Sequence, residues 1–575
     1  MLNKENTKKS NHDNLSKKWL ILWVIFLYII YLIFKTPIDL HNLGISNIES
    51  YYLIDAYSVC NGHVLYKDFY ENKGPLQILF YVFSLLLGNF NELAIVRVRI
   101  LQSITYFISL FFLTFSANLI FKKKLITLIT PLAYIYLPII FKGLWGEKDM
   151  QGVFLAEGEL IMSPWLSLSL YFLSKFVIGE KKWQYIFLSG IFSSLATVTK
   201  LSGASFSITI FMAGILSLLF LRRSSIFYST KYFLCFCLGT IIPILLVYLF
   251  LFCQGSINDF HYYVIYENLI RTGIPISESI KTHFLKIILK NSAIFLLIVY
   301  YLISTLTHLT TKKNLASIEL QFHLIFSCWI IISIYAVISP RLYASHYYQN
   351  LWLSSCIPIA HVINRFLEIN LNKLYKVFIS VLILFSSWNY NLINYYLANY
   401  ECNYPSILNT NKIYDSTTIE SQDKFEKWLK DNTRLPILKA SDLIRWTSKP
   451  NDTMYIWPLG ALIYLYSSVK PAVFLQPEMV LYWYLNFHKD KEKCNKFLNN
   501  YFLRSINEII KNKPSYIVNT EALTPEYDEF SIFKKNDFSM FLRSNYKVLF
   551  TIELTLESKN IRRLTNKTIT IYRRT

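Results

Sequence analysis

About eleven apolar runs recur along this chain, each near the length needed to cross about 30 Å of hydrocarbon, and they force most of it to be helical. Lipid offers no water to backbone N–H and C=O groups, so every crossing has to satisfy them within its own helix. The runs cover residues 19–34, 93–120, 125–141, 154–174, 185–199, 204–221, 233–252, 285–306, 320–338, 351–366 and 377–397. Residues 76–87 read as a short span or an interfacial helix. A polytopic α-helical membrane protein of about 11–13 transmembrane helices is therefore expected.

The placement of charge orients these spans. Lys4, Lys8, Lys9, Lys17 and Lys18 precede the first, which makes residues 1–18 a cytoplasmic tail. The first run lacks a small-residue cleavage site and reads as a retained anchor. Alternation then keeps Lys122 to Lys124, Lys175 with Lys181 and Lys182, Arg222 with Arg223, Lys312 with Lys313, and Arg365 with Lys373 and Lys376 inside. The net charge of +21 is thus spent on topology in short clusters rather than on a continuous basic track, which argues against nucleic acid as a partner.

The first loop, 36–92, and the region 399–575 fall on the outer side. In the latter, MYIWPL, AVFLQP, SYIVNT, YKVLFTIEL and TITIYRR read as strands and residues 501–511 as a helix, so a small soluble α/β domain closes the chain. The expected organisation is a tail 1–18, a membrane-embedded part 19–398 and an extracytoplasmic domain 399–575. A bias toward Lys, Asn, Ile and Tyr suits a low-GC bacterial coding sequence; the cytoplasmic (inner) membrane, with the C-terminal domain periplasmic or extracellular, is the location expected. No His/Cys pairing has metal-site spacing, so no metal ligands are assigned.

Polar chemistry concentrates in the first outer loop, Ile48 to Leu76, which carries Glu49, Asp55, Asp68 and Glu71 with the cation Lys73. Carboxylates packed beside a membrane span are costly unless water, a cation or a substrate meets them. Each residue also has a simpler reading. Glu49 suits the first turn of a helix, Asp68 a solvated turn, Arg97 a snorkelling position near a span end, and His346 with Tyr347 an interfacial aromatic belt. Glu157 and Glu159 are expensive at membrane depth, so either they line a cavity or their span starts later than residue 154. Glu147 and Asp149 read as a solvated outer loop, and Lys200 as a break between two short spans.

The segment IESYYLIDAYSVCNGHVLYKDFYENKGPLQILFYVFSLLLGN, followed by the Arg97 of LAIVRVRIL, resembles the first outer loop of polytopic GT-C glycosyltransferases. These include the protein O-mannosyltransferases, the lipid A aminoarabinose transferases and the RgtA-like transferases. Their pattern is an acidic pair, a tyrosine-rich helix, Gly, Tyr-x-Asp and Lys-Pro-Pro. Glu49 matches the second acid, Gly62 the glycine, Tyr66 and Asp68 the Tyr-x-Asp, and Lys73 with Pro75 the Lys-x-Pro; Ile48 and Gly74 stand where an acid and a proline are usual. QGSINDFHYYVIYEN, LSGIFSSLATVTKLSG, PRLYASHYYQNLWL and MYIWPLGALIYLYSSVKPA resemble later family segments, in the family's order.

The resemblance implies a GT-C-like fold and inverting transfer of a monosaccharide from a polyprenyl-phosphate donor to a lipid-linked, polysaccharide or protein acceptor on the outer face. It implies Glu49, Asp68 and Asp55 as candidate catalytic acids. Lys73, Arg97, Arg341, His346 and Tyr347 become candidates for the donor phosphate, and Tyr52, Tyr66, Glu71, Glu157 and Asp259 for the cavity. No cofactor is required by this chemistry, and a divalent metal would be compatible with it. An outward-facing polymerase or ligase using the same kind of donor is the alternative enzyme, and a lipid or glycan transporter the alternative outside enzymes.

Overall fold

The computed structural model describes residues 16–41, 47–91, 93–140, 158–179, 182–220, 223–266, 280–311, 318–339, 345–368, 436–458, 461–473, 491–521, 531–553 and 568–575. Twelve helices before residue 369 are used here: α1 (Lys17–His41), α2 (Asn47–Cys60), α3 (Pro75–Leu86), α4 (Leu93–Phe121), α5 (Lys124–Ile140), α6 (Gly158–Ile178), α7 (Trp183–Thr199), α8 (Ala204–Phe220), α9 (Arg223–Gln254), α10 (Ser292–Thr311), α11 (Ile318–Ile338) and α12 (Gln349–Glu368). Among the described residues five stretches are long and apolar enough to cross a membrane: Leu93–Phe121, Gly158–Ile178, Thr230–Gln254, Ser292–Thr310 and Ile318–Ile338. With the shorter apolar helices around them they make a polytopic membrane bundle.

Small and hydroxylated residues let these helices approach closely, as lipid-embedded packing requires. A Cβ on Gly190 of α7 would lie 2.3 Å from the Phe236 carbonyl oxygen of α9, and one on Gly239 would lie 2.2 Å from that of Phe187. The two backbones are therefore in contact. Ser169 donates to the Ser189 carbonyl at 2.6 Å across α6 and α7, and Ser109 and Ser163 meet at 2.9 Å across α4 and α6. On the outer face of α9, Leu234, Leu238, Leu245, Leu249 and Phe252 stay exposed, which suits contact with lipid tails.

Several boundaries differ from the sequence expectation. The span expected over 285–306 begins instead at Ser292, because Asn291 leaves the helical region (φ −120°, ψ 32°) and its side chain caps the preceding turn at the Ile287 carbonyl. Of the helix expected from residue 154, the described part begins at Gly158, with Glu159 in its first turn. α3 has 12 residues, about 18 Å of helix, too short to cross. Lys200 is extended (φ −153°) between α7 and the turn Leu201–Gly203 that opens α8, which is the expected break. The expected span 377–397 lies outside the described residues.

The C-terminal region forms α13 (Pro436–Thr447), β1 (Thr453–Trp457), α14 (Ala461–Ser467), β2 (Lys470–Pro471), α15 (Lys491–Asn512), β3 (Tyr516–Asn519), α16 (Asn536–Asn545), β4 (Tyr546–Glu553) and β5 (Thr568–Arg574). Its sheet runs in the order β2-β1-β3-β5-β4. β1 pairs parallel with β2 and β3, while β5 pairs antiparallel with β3 and β4, with an irregularity between Val548 and Phe550. Four of the five expected strands form where the pattern placed them, and the strand expected at AVFLQP lies largely outside the described residues, with the short β2 just before it.

Period-two alternation divides this sheet between two cores. Tyr455, Trp457 and Ile517 face Leu498, Phe502 and Ile509 of α15, while Met454, Ile456 and Val518 face Ile444 of α13 and Tyr51 and Ile54 of α2. The opposite flank of α2, with Tyr52, Leu53 and Ala56, packs into the first loop and α4. The helix bearing the acids is thus held between the membrane bundle and the sheet. Glu49 and Asp55 are buried in consequence.

Candidate active site

α2 ends in a Schellman turn: the Gly62 amide donates to the Val59 carbonyl and the His63 amide to that of Ser58, with Gly62 at φ +87°. The chain then loops back under the sheet. The Val64 amide donates to Asp68 Oδ2 at 2.7 Å, closing a turn, and His63 Nδ1 lies 3.9 Å from the same oxygen. Tyr66 is fully buried at φ +70°, a costly backbone for a bulky residue, and its hydroxyl donates to the Lys73 carbonyl at 2.7 Å. The loop is pinned at both ends before it reaches the acids.

Asp55 and Glu71 form a buried, hydrogen-bonded carboxyl pair. Burial, then the neighbouring Glu71 charge, hold the Asp55 carboxyl well above the usual carboxylate range. Burial raises Glu71 as well, but the Lys73 ammonium, the hydrogen bond from Asp55 and the Lys73 and Asn72 amides oppose that rise. The Lys73 amide donates to Glu71 Oε1 at 2.7 Å. Two buried carboxyls this close oppose ionisation of both, so the pair titrates as a unit that shares one proton.

A pH dependence follows from the direction of these shifts. The folded protein holds the Asp55 proton more tightly than the unfolded chain does, so the stabilisation is complete below the ordinary Asp value of about 4 and is lost as pH rises through the elevated folded value. The thermal midpoint in detergent is expected to fall as pH is raised through that window, and to fall less steeply in Asp55→Asn. Parallel pH slopes for the two proteins would contradict the shared proton.

Glu49, with no exposed surface, takes Arg99 of α4 as its counterion: the guanidinium donates from Nη2 to Oε2 at 2.6 Å and from Nε to Oε2 at 3.1 Å. Arg97, two residues earlier and so on the opposite face of α4, is only half-buried. Its guanidinium donates to the carbonyls of Ser84 and Asn89, capping the end of α3. Arg99 was not singled out from the sequence; the signal available was the alternation in VRVR, which places one arginine toward α2 and one away from it.

Gly74 links the loop to a second polar cluster. Its backbone (φ −68°, ψ 153°) would accept proline, but the space would not: a Cβ would sit 2.1 Å from the Val198 carbonyl oxygen and 2.7 Å from that of Thr199. The Lys73–Gly74 turn thus rests on the end of α7, directly beside Lys200. Lys200 Nζ pairs with Glu159 of α6 and lies 4.6 Å from the centroid of the buried Tyr347 ring. The Gln77 side-chain amide reaches the same point, at Gly158, and is buried without a hydrogen-bond partner among the described residues. Gly74→Ala is expected to lower stability by about 1–3 kcal/mol, since two backbone carbonyls would have to move. An unchanged thermal midpoint would show that α7 yields there.

The remaining expected residues divide between walls and rim. Tyr52 is buried against Tyr81, 5.2 Å between ring centroids. Asp259 stands half-buried at the rim; burial raises its carboxyl, while Lys67 and Arg504 pull the other way. Arg504 of α15 also donates to the Asp68 carbonyl at 3.2 Å, fastening the C-terminal domain to the loop. Arg341, Glu157, Glu147 and Asp149 lie outside the described residues. His346 belongs to the turn Ser345–Tyr348, but its side chain is outside them too.

Neither family models nor curated protein sequences match the chain. Solved structures do. ArnT from Cupriavidus metallidurans bound to undecaprenyl phosphate superposes with a TM-score of 0.53 at 12% identity, covering 97% of this chain and 98% of that one. ArnT in the apo state gives a TM-score of 0.53 at 12% identity, covering 96% and 97%. The chain therefore has the fold of these ArnT structures. At 12% identity the likeness extends to the path of the chain and not to side-chain roles. In this chain a polytopic bundle packs against a C-terminal domain, with the carboxyl pair enclosed where they join.

Proposed function

We propose that this chain is an integral membrane glycosyltransferase, moving one monosaccharide from a polyprenyl-phosphate donor to a lipid-linked, polysaccharide or protein hydroxyl on the outer face of the membrane. The observation that carries the reading is the buried Asp55–Glu71 pair with Lys73 beside it, held over a lipid-accessible bundle of GT-C fold. The similar ArnT structure holds undecaprenyl phosphate, which supports the donor class.

In this mechanism an acceptor oxygen attacks the anomeric carbon while the bond from that carbon to the phosphate oxygen breaks, inverting the centre. The electron pair leaves with the lipid phosphate, and the hydroxyl proton passes to the Glu71 carboxylate and its partner Asp55. A base raised toward the working pH is well matched to that transfer. Lys73, with Lys200 across the Gly74 contact, balances the phosphate charge. Glu49, a candidate base by sequence, is proposed instead to anchor α2 through Arg99. Asp68 and Asp259 are proposed for sugar hydroxyls at the rim.

The test is transfer of radiolabelled sugar from synthetic polyprenyl-phosphate sugars by purified protein, with a membrane extract supplying acceptors. Wild type is expected to move label from lipid to acceptor, and Lys73→Met to lose it by about 10²-fold or more. No transfer from any donor would overturn the reading.

A further inference from the structure

A third polar cluster, of Glu319, His323 and His361, lies at the opposite end of the bundle. α4 runs from Arg99, against Glu49, to Phe121, whose ring lies 5.6 Å from that of His323 and 5.1 Å from that of His361. Twenty-two residues of helix separate the two points, about 33 Å. Glu319 and His323 share one face of α11 a turn apart, and α12 brings His361 against them, with the imidazole centroids 4.6 Å apart.

We propose that Glu319, His323 and His361 bind a divalent transition metal of the zinc class, clasping α11 to α12 at the membrane end away from the carboxyl pair. One ligand atom from each residue lies within 4.8 Å of the others. Ligands around tetrahedral zinc stand about 3.3 Å apart for bonds near 2.0–2.1 Å, so closure takes side-chain movements of about 1 Å. His323 is already oriented for it. Its Nδ1 is hydrogen-bonded to the Tyr301 hydroxyl at 2.8 Å, which turns Nε2 toward Glu319 Oε1, 3.8 Å away.

His361 supplies the second argument: its Nδ1 is buried and has no hydrogen-bond partner among the described residues. An imidazole nitrogen enclosed beside another imidazole and a carboxylate is a donor set suited to zinc rather than to calcium or magnesium. Glu319 is half-exposed and gives the ion a route from solution. Lys123 and Arg365 face the same end and oppose a cation, but Glu368 takes up the Lys123 charge at 2.7 Å. Three protein ligands leave the fourth position for water. At about 33 Å from Glu49, the ion would hold helices together rather than take part in transfer.

The test uses the full chain in detergent, stripped with chelator and dialysed against zinc chloride, with bound metal counted by mass spectrometry and Co²⁺ replacing zinc for spectroscopy. About one zinc per chain above the His323→Ala/His361→Ala variant is expected, with the visible ligand-field bands of four-coordinate cobalt. Glu319→Gln, at a half-exposed position that leaves packing intact, is expected to weaken zinc at least tenfold. Equal zinc in wild type and the double variant would overturn the site, as would unchanged affinity in Glu319→Gln. The inference is independent of the proposed transfer reaction.

Discussion

Asp55→Asn is expected to slow glycosyl transfer about 10²–10⁴-fold, the range that general-base catalysis contributes, with donor binding changed only a few-fold. Asparagine keeps the size of the side chain and can still donate to Glu71, but it cannot exchange a proton with it. Glu71→Gln removes the acceptor itself and is expected to cost as much. Because the two carboxyls act on one proton, the double variant should be little slower than the worse single one. Asp68→Asn should have a smaller effect, since the Asp68 carboxylate closes a local turn on Val64 and is partly exposed. Single-turnover rates with saturating donor separate these cases. Equal rates for wild type, Asp55→Asn and Glu71→Gln would remove the pair from the chemistry and return Asp68 or Glu49 to consideration.

Arg99→Met is expected to cost about 3–5 kcal/mol of stability, because it leaves the Glu49 carboxylate buried with its counterion gone. Most of that cost is desolvation of the orphaned charge rather than the worth of the pair. Replacing both partners by methionine should therefore recover much of the loss, and Glu49→Met/Arg99→Met should melt above Arg99→Met alone. Arg97→Met makes a contrast, since it gives up hydrogen bonds at the end of α3 and strands no buried charge. The order expected in detergent is wild type, then Arg97→Met, then Arg99→Met. If Arg99→Met melted like wild type, α2 would be held by its tyrosine packing and not by the ion pair.

The parts of this protein legible in its sequence are those governed by a period or by a local steric demand. Apolar runs near the length of a bilayer crossing gave the helical bundle, and alternation gave β1, β3, β4 and β5. Gly62, singled out by its match to the family's glycine, stands at φ +87° in a Schellman turn, where a left-handed backbone favours glycine. The acids of the first loop stood out against an apolar background. Helix ends were less legible: Asn291 starts α10 seven residues later than hydropathy suggested, through a side-chain cap that hydropathy does not register.

Partners were a different matter. Sequence reading brought Arg97 forward for the phosphate and passed over Arg99, two residues away, because both have the same composition, and only the rotation of α4 against α2 distinguishes them. Glu71 read as a cavity residue until the loop turned it onto Asp55, and Lys200 as a helix break until α6 brought Glu159 to it. Gly74, a departure from the family pattern, has its reason 124 residues further on, in the Val198 carbonyl that fills the space of a Cβ. The sequence alone thus determined that the chain is a membrane bundle with an acidic first loop and a small sheet domain, since length, period and charge act locally along it. Which acid shares a proton, which is locked to an arginine and which histidines meet at the far end were decided only by tertiary packing, because a pKa or an ion pair depends on distances between residues that the chain itself keeps far apart.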